Sequence, residues 1–314
     1  MIFSLSTRWN AGRHTRGEDM IQEILDLGLQ HVELGYDLRI DLTPGVLDMV
    51  RRGAVRVTSV HNFCPVPVGA PHGHPELFTL GDPDRRIRES AVTHTTRTIR
   101  FAAEVGARVV IVHAGNVEME RLSEQLMEQC AQGQQFNPHY ERTKLKLQVS
   151  REKKAGKQIK YLYEGIENLL PVLQETEVKL ALENLPTWES IPTETEMETL
   201  LKHFNSPYLA HWHDIGHGKI RENLGFINHE RWLTRLQPWL AGLHIHDVEP
   251  PAKDHLMPPE GKINFSRLRK FAELDIHRVL EPAPRTPSEK IVNGLSFLRK
   301  VWEEKLEPQE KGIA

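Results

Sequence analysis

The feature that most constrains the fold is a regular alternation of short apolar runs with longer amphipathic stretches. Eight runs rich in Val, Ile and Leu lie at residues 1–6, 31–36, 55–63, 108–115, 179–184, 209–214, 240–247 and 277–283. Helical three- and four-residue spacing of apolar residues marks the stretches 17–29, 86–107, 159–176, 193–204, 228–240, 265–274 and 288–304. Strands that alternate with helices in this way predict a parallel sheet.

The number of repeats favours one architecture within that class. Eight strand–helix units in 314 residues favour a single closed (β/α)₈ barrel over residues 1–314 rather than an open doubly wound sheet. The first run is followed by no G-x-G-x-x-G turn, so the usual mark of a dinucleotide-binding fold is missing. Active sites of such barrels lie at the carboxyl ends of the strands, which directs attention to the residues that close each run.

One connection is much longer than the others. About forty residues, approximately 116–157, separate the fourth run from the helix before the fifth. The segment has a helical pattern, ends in a basic run and emerges at the face where active sites lie. Two interpretations stay open: a lid or pocket element, or an amphipathic insertion that only faces solvent.

Six of the eight runs end in an imidazole or a carboxylate. These residues are His61, His113, Glu183, Asp214, Glu281 and, in the seventh run, the same-face pair His244 and His246. The last inward side chain of a barrel strand faces the mouth, and several charges buried there are costly unless something binds them. Carboxylates and neutral imidazoles are natural ligands of a divalent metal, and the imidazoles favour Mn²⁺, Co²⁺ or Zn²⁺ over Mg²⁺. The pattern predicts a metal site, to which inward parity admits either His244 or His246.

The stretch "HWHDIGHG", residues 211–218, divides by strand parity. Trp212 shares the inward face of Asp214, whereas His213 points outward and is expected to pack between strand and helix. His211 is also outward and receives no role. Gly216 and Gly218 are expected to let the backbone turn beside the metal.

Other polar residues outside the runs receive weaker assignments. The segment after the seventh run also lies at the mouth, so Asp254, His255 and Glu260 could add contacts or ligands. The histidines predicted to be surface or turn residues are His72, His74, His94, His203, His229 and His277.

Composition narrows partners and compartment. A net charge of -3 provides no general basic field for nucleic acid. No run reaches the roughly 18–20 apolar residues of a membrane span, and residues 1–20 contain no segment of signal-peptide character. The two cysteines, Cys64 and Cys130, form neither a disulfide framework nor a zinc-binding spacing. We therefore expect a cytoplasmic, water-soluble protein.

The ordered motifs "ALENLP", "HDIGH", "HIHD", "DHLMPPEGKINF" and "VLEP" resemble the xylose isomerase-like TIM barrel superfamily over essentially the whole chain. That superfamily includes sugar phosphate isomerases and epimerases, ketose 3-epimerases, inosose dehydratases and endonuclease IV. The resemblance implies metal ligands at Glu183, Asp214, His244 and Glu281, with His244 preferred over His246 because of the family's H-x-x-D pattern.

Further histidines match positions whose role differs between members of the superfamily. His217 corresponds to a substrate contact in the epimerases and to a zinc ligand in endonuclease IV. His61, His113 and His255 match other zinc-binding histidines of that endonuclease. Lys253 replaces an aspartate of its three-metal cluster, which is a departure from the endonuclease pattern.

The resemblance implies a metal-dependent sugar, sugar phosphate or polyol isomerase or epimerase. Glu183 and Glu281 would exchange the substrate proton through a metal-stabilised enediolate. Two alternatives use the same residues: a zinc phosphodiesterase acting at abasic DNA sites, or a dehydratase or lyase. The expected partner is a small carbohydrate, with neither nucleic acid nor membrane, and a homo-oligomer is compatible with the pattern.

Overall fold

The computed structural model describes residues 1–303, which contain ten strands and ten α-helices. The strands are β1 Ser4–Ser6, β2 His31–Leu34, β3 Arg56–His61, β4 Val109–Val112, β5 Lys179–Glu183, β6 Leu209–Asp214, β7 Leu240–Ile245, β8 Asp247–Glu249, β9 Lys253–Leu256 and β10 His277–Leu280. The helices are α1 Gly17–Leu25, α2 Thr43–Arg51, α3 Arg85–Glu104, α4 Leu122–Ala131, α5 Pro138–Thr176, α6 Glu194–Phe204, α7 Ile215–Asn223, α8 His229–Leu236, α9 Phe265–Ala272 and α10 Ser288–Glu303.

Eight parallel strands close the barrel in the order β1-β10-β7-β6-β5-β4-β3-β2. Each of the eight predicted apolar runs supplies one of these strands, so the predicted (β/α)₈ barrel is confirmed. Asp214 pairs with His244, and Glu183 pairs with Trp212, so the carboxyl ends of β5, β6 and β7 lie close to one level. This register brings the polar residues that end the strands to one mouth.

The barrel interior is filled by apolar side chains from alternate strand positions. Trp212 is the largest of them, and its ring edge contacts the His244 ring at a centroid distance of 5.1 Å. Gly242 makes room for this indole, because a Cβ at position 242 would lie 2.3 Å from the Trp212 ring. The interior is therefore a packed core with a polar layer above it, as the inward parity of Trp212 predicts.

The long connection after β4 is helical, as predicted, but it does not end where the insertion was expected to end. The 39 residues of α5 run without interruption from the insertion into the helix that leads to β5. Leu126 and Tyr140 of the insertion pack in an apolar cluster with Ile220 of α7 and Val248 of β8. The insertion therefore covers the elements that follow β6 and β7.

None of the helices within 1–303 is long and apolar enough to span a bilayer.

A short antiparallel hairpin, β8 and β9, follows β7 and folds back over the mouth. Asp247 organises it, because its carboxylate accepts hydrogen bonds from the backbone of Gly261 at 2.9 Å and of Ile263 at 3.0 Å. His255 on β9 adopts a left-handed backbone conformation with φ of 51°. The hairpin thereby brings a residue remote from the barrel strands to the site.

Candidate active site and metal centre

Three carboxylates and one imidazole meet at the mouth of the barrel. Glu183 ends β5, Asp214 ends β6, His244 lies on β7 and Glu281 directly follows β10. All four side chains are buried, and one donor atom from each lies within 4.8 Å of the donors of the other three. His244 Nδ1 lies 2.9 Å from Glu183, 3.5 Å from Glu281 and 3.9 Å from Asp214. We call these four residues the carboxylate–histidine cluster.

Backbone contacts fix Asp214 in this group. Its backbone N–H donates to Asn184 Oδ1 at 2.9 Å, and its carbonyl accepts from Asn184 Nδ2 at 3.0 Å. Its carboxylate caps α7 by accepting from the backbone N–H of His217 at 2.7 Å. Asp214 thus ends a strand and begins a helix, and its second oxygen, Oδ2, lies 3.0 Å from His246 Nε2 and 3.9 Å from His244 Nδ1.

Negative charge exceeds positive charge in the carboxylate–histidine cluster. Burial, with the repulsion of Glu183 and Glu281, raises the pKa of Asp214 to about 6. Burial also disfavours the charged forms of Glu183 and Glu281, but cationic His244 holds the pKa of both well below the usual range. Burial lowers the pKa of His244, yet the surrounding carboxylates outweigh it and raise that pKa well above 6.5. One imidazolium thus faces three carboxylates.

This donor set fits a divalent metal. Three carboxylates buried together repel each other, and a cation that replaces the proton on His244 would compensate them more fully. Oxygen ligands with one imidazole suit Mn²⁺, Co²⁺ or Zn²⁺. His244 belongs to this group, whereas His246 does not.

A second group of potential ligands consists of His61, His113 and Glu183. The Glu183 oxygen that does not face His244 lies 3.2 Å from His61 Nε2 and 3.1 Å from His113 Nε2. The far ring nitrogen of His113 lies 3.4 Å from Glu76. Burial lowers the pKa of His113, but the two glutamates outweigh burial and raise that pKa to about 9. Glu183 therefore bridges two clusters of potential ligands.

A third group consists of imidazoles only: His217, His246 and His255. The rings of His246 and His255 stack at a centroid distance of 4.2 Å, and His246 Nε2 lies 2.9 Å from Asp214. Burial is the main cause that lowers the pKa of each of the three, so they are neutral at pH 7. This group can contact a ligand through neutral ring nitrogens.

All eight site residues predicted from the sequence lie at this one mouth, distributed over the three groups. Two glutamates at the same mouth were not predicted. Glu33 on β2 is fully buried, and its carboxylate lies 3.2 Å from His244 Nε2, while Glu76 lies in the loop before α3. A carboxylate inside the apolar run 31–36 was a signal for Glu33, whereas a loop residue such as Glu76 had none.

Two predictions about individual residues are wrong. His229, expected at the surface, is buried because the inner face of α8 packs on β6, where its Nε2 lies 2.7 Å from His213 Nε2. Glu260 is exposed and pairs with Lys290 at 2.5 Å, so it contributes nothing to the mouth. Of the other surface or turn candidates, His72, His74 and His203 are exposed, and His94 and His277 are partly buried.

The two glycines of "HWHDIGHG" have a different purpose from the predicted turn. Both lie within α7 with ordinary helical backbone angles. A Cβ at Gly216 would lie 1.9 Å from the His246 ring, and one at Gly218 would lie 2.6 Å from His229 Nε2. They are small because imidazoles on both sides of α7 need the space.

Similarity to known proteins agrees with this arrangement. The family model described as "Xylose isomerase-like TIM barrel" matches residues 21–301, which is most of the chain. No curated protein sequence is significantly similar to it.

Solved structures share the fold at low sequence identity. A D-tagatose 3-epimerase-like protein aligns with a TM-score of 0.69 at 18% identity, covering 96% of this chain and 97% of its own. The 3-keto-D-glucoside 4-epimerase of E. coli has a TM-score of 0.69 at 16% identity, with 96% and 99% covered. D-psicose 3-epimerase from Clostridium cellulolyticum H10 has a TM-score of 0.65 at 12% identity, again with 96% and 99% covered. At these identities the likeness establishes the fold alone.

Proposed function

The chain belongs to the xylose isomerase-like TIM barrel family, and from that premise we propose that it is a divalent-metal-dependent sugar isomerase or epimerase. The observation that carries the proposal is the carboxylate–histidine cluster, in which two glutamates and an aspartate surround one imidazole at the barrel mouth. The sugar epimerases among its structural neighbours make a carbohydrate the favoured substrate. We expect it to act in the cytoplasm, where the free thiols Cys64 and Cys130 stay reduced.

Glu183, Asp214, His244 and Glu281 would hold the cation. When bound, a divalent metal supplies a Lewis acid that stabilises negative charge on substrate oxygens as a C–H proton leaves. The mixed ligands favour Mn²⁺, Co²⁺ or Zn²⁺.

Glu183 and Glu281 are the proposed proton carriers. Their low pKa values keep both ionised at neutral pH, so each can accept a proton. They lie on strands separated by β6 and β7, which lets them approach a substrate from different directions. His217, a neutral imidazole beside them, is placed to bind a substrate hydroxyl.

The zinc phosphodiesterase remains a second candidate, because the mouth holds three groups that could each take an ion. The third group argues against it. The guanidinium Nη1 of Arg8 lies 3.4 Å from both ring nitrogens of its His255. A cation at His255 would face this like charge, so the site is better suited to one metal than to three. A dehydratase or lyase would use the same carboxylate–histidine cluster.

The test combines metal analysis with a substrate panel. We expect protein purified without chelator to retain about one divalent ion per chain and to interconvert at least one ketose, sugar acid or sugar phosphate with its isomer or epimer. Metal-free protein with full activity would contradict the proposal. Three zinc ions per chain together with cleavage of an abasic duplex would establish the phosphodiesterase instead, and loss of water from the substrate would establish the dehydratase.

A further inference from the structure

Arg8 is a cation at the mouth that the proposed proton transfer does not use. It lies in the short 3₁₀ turn Thr7–Trp9 that directly follows β1. Its guanidinium carbon lies 5.7 Å from the ring centre of Tyr36, which follows β2, and its Nη1 lies 3.4 Å from the ring nitrogens of His255. The side chain therefore lies at the rim of the site, between the ends of β1, β2 and β10.

The partners of Arg8 differ from those of the other buried arginines. Arg151 forms two hydrogen bonds to Glu196 at 2.7 Å, and Arg221 donates to Glu194 at 2.9 Å. Arg278 donates to backbone carbonyls. Within residues 1–303, the Arg8 guanidinium forms no ion pair with a carboxylate, and its polar neighbours are the ring nitrogens of His255 and the hydroxyl of Tyr36. A partly buried cation without a paired anion is costly, so the site favours an anion beside Arg8.

Neighbouring groups keep Arg8 charged. Although burial lowers the pKa of Arg8, Glu281, Tyr36 and Asp37 outweigh this and raise it. Of these, Glu281 belongs to the carboxylate–histidine cluster, where a bound metal would neutralise its charge. Burial raises the pKa of Tyr36, so its hydroxyl stays protonated and can donate a hydrogen bond.

We propose that Arg8, assisted by Tyr36 and His255, binds an anionic group of the substrate. This inference rests on the proposed function and narrows it: the substrate is an acidic sugar, carrying a carboxylate or a phosphate, rather than a neutral ketose. A planar guanidinium presents paired N–H donors that match the oxygens of either group, and an anion also neutralises it. Arg8 is thus a specificity residue at the rim of the site rather than a proton carrier.

Calorimetric titration of the Mn²⁺-loaded full chain tests this with three probes that share a polyol: glycerol, D-glycerate and glycerol phosphate. We expect at least one of the two anions to bind about 10-fold or more tighter than glycerol. Arg8→Gln should remove that preference, and Arg8→Lys should keep part of it. Arg13→Gln is the matched control, because Arg13 is paired with Glu23 at the surface and should leave the preference unchanged.

The anion that gains most identifies the group as carboxylate or phosphate. Equal binding of all three probes would overturn the inference. An anion preference that survives Arg8→Gln would also overturn it, because the anion would then be held by the metal or by other residues.

Kinetics separate this inference from the proposed function. If a neutral ketose turns over with a kcat/KM as high as that of every acidic sugar in the panel, and Arg8→Gln changes none of these values, the function stands and the anion subsite is refuted. If the anions bind through Arg8 but no sugar in the panel is converted, the subsite stands and the isomerase proposal fails.

Discussion

The two faces of strand β6 use histidine in opposite ways. On the inner face, Asp214 and its neighbour His244 belong to a group rich in carboxylates. On the outer face, His211 and His213 form a buried chain with His229 of α8, with ring nitrogens 3.2 and 2.7 Å apart. Beyond this chain, His211 Nδ1 lies 3.3 Å from the backbone carbonyl of Leu182.

The acid–base properties follow from these surroundings. Burial lowers the pKa of both His211 and His229 to about 4, because no carboxylate close to either ring outweighs it. At the mouth, His244 is equally buried, yet Glu281, Glu33 and Glu183 outweigh burial and raise its pKa well above 6.5. Burial is common to both regions, so a histidine is charged only where its carboxylate neighbours outweigh burial, as at His244; at His246, 2.9 Å from Asp214, they do not.

The largest expected effect breaks the inner face. Glu183→Gln removes a carboxylate shared by two of the three groups, so we expect loss of bound metal and a fall in kcat of about 1000-fold or more. Metal content by mass spectrometry and turnover on the substrate found in the panel are the readouts. Glu189→Gln is the control, since Glu189 is also buried but binds Ser123, outside the site. Unchanged metal content in Glu183→Gln would contradict the assignment.

The second prediction concerns the outer face at acid pH. Since the folded-state pKa values of His211 and His229 lie near 4 and the unfolded value near 6.5, only the unfolded chain binds these protons in between. The contribution of these two histidines to stability is therefore complete above pH 6.5 and falls as the pH drops toward 4, by about 2 kcal/mol for each histidine between pH 7 and pH 5. Urea unfolding at several pH values measures the slope. The difference in slope between the wild type and His229→Leu is the test, because His113 and His244, whose pKa values are raised, gain stability on acidification. Equal slopes would show that His229 is already charged in the fold.

The smallest expected effect sharpens the comparison. His229→Leu leaves His213 Nε2 buried without its partner, so we expect a loss of about 1–2 kcal/mol at pH 7.5 and a shallower pH slope. Metal content and kcat should stay at the wild-type level, because α8 contributes no ligand to the mouth. His203→Leu, at an exposed histidine, should change neither stability nor slope. A His229→Leu protein that loses its metal would show that the two faces are coupled.

Much of this architecture could be read from periodicity. The eight apolar runs predict the eight barrel strands because an inward side chain recurs at every second residue, and that same parity separates Asp214 from His213. It could not predict Glu76 or Arg8, which reach the mouth from a loop and a short turn. It also could not predict that His229 is buried, because a helix near the surface has one face that is not exposed.

The sequence by itself determined the barrel, its polar mouth and the residues that end each strand, because these depend on local periodicity and strand direction. Strand parity left His244 and His246 equivalent, and only the tertiary structure brings His244, the residue that the motif resemblance favours, among Glu183, Asp214 and Glu281. It likewise decided which imidazoles have enough carboxylate neighbours to outweigh burial. Those neighbours come from strands far apart in the sequence, and electrostatic energy depends on distance in space rather than on spacing along the chain.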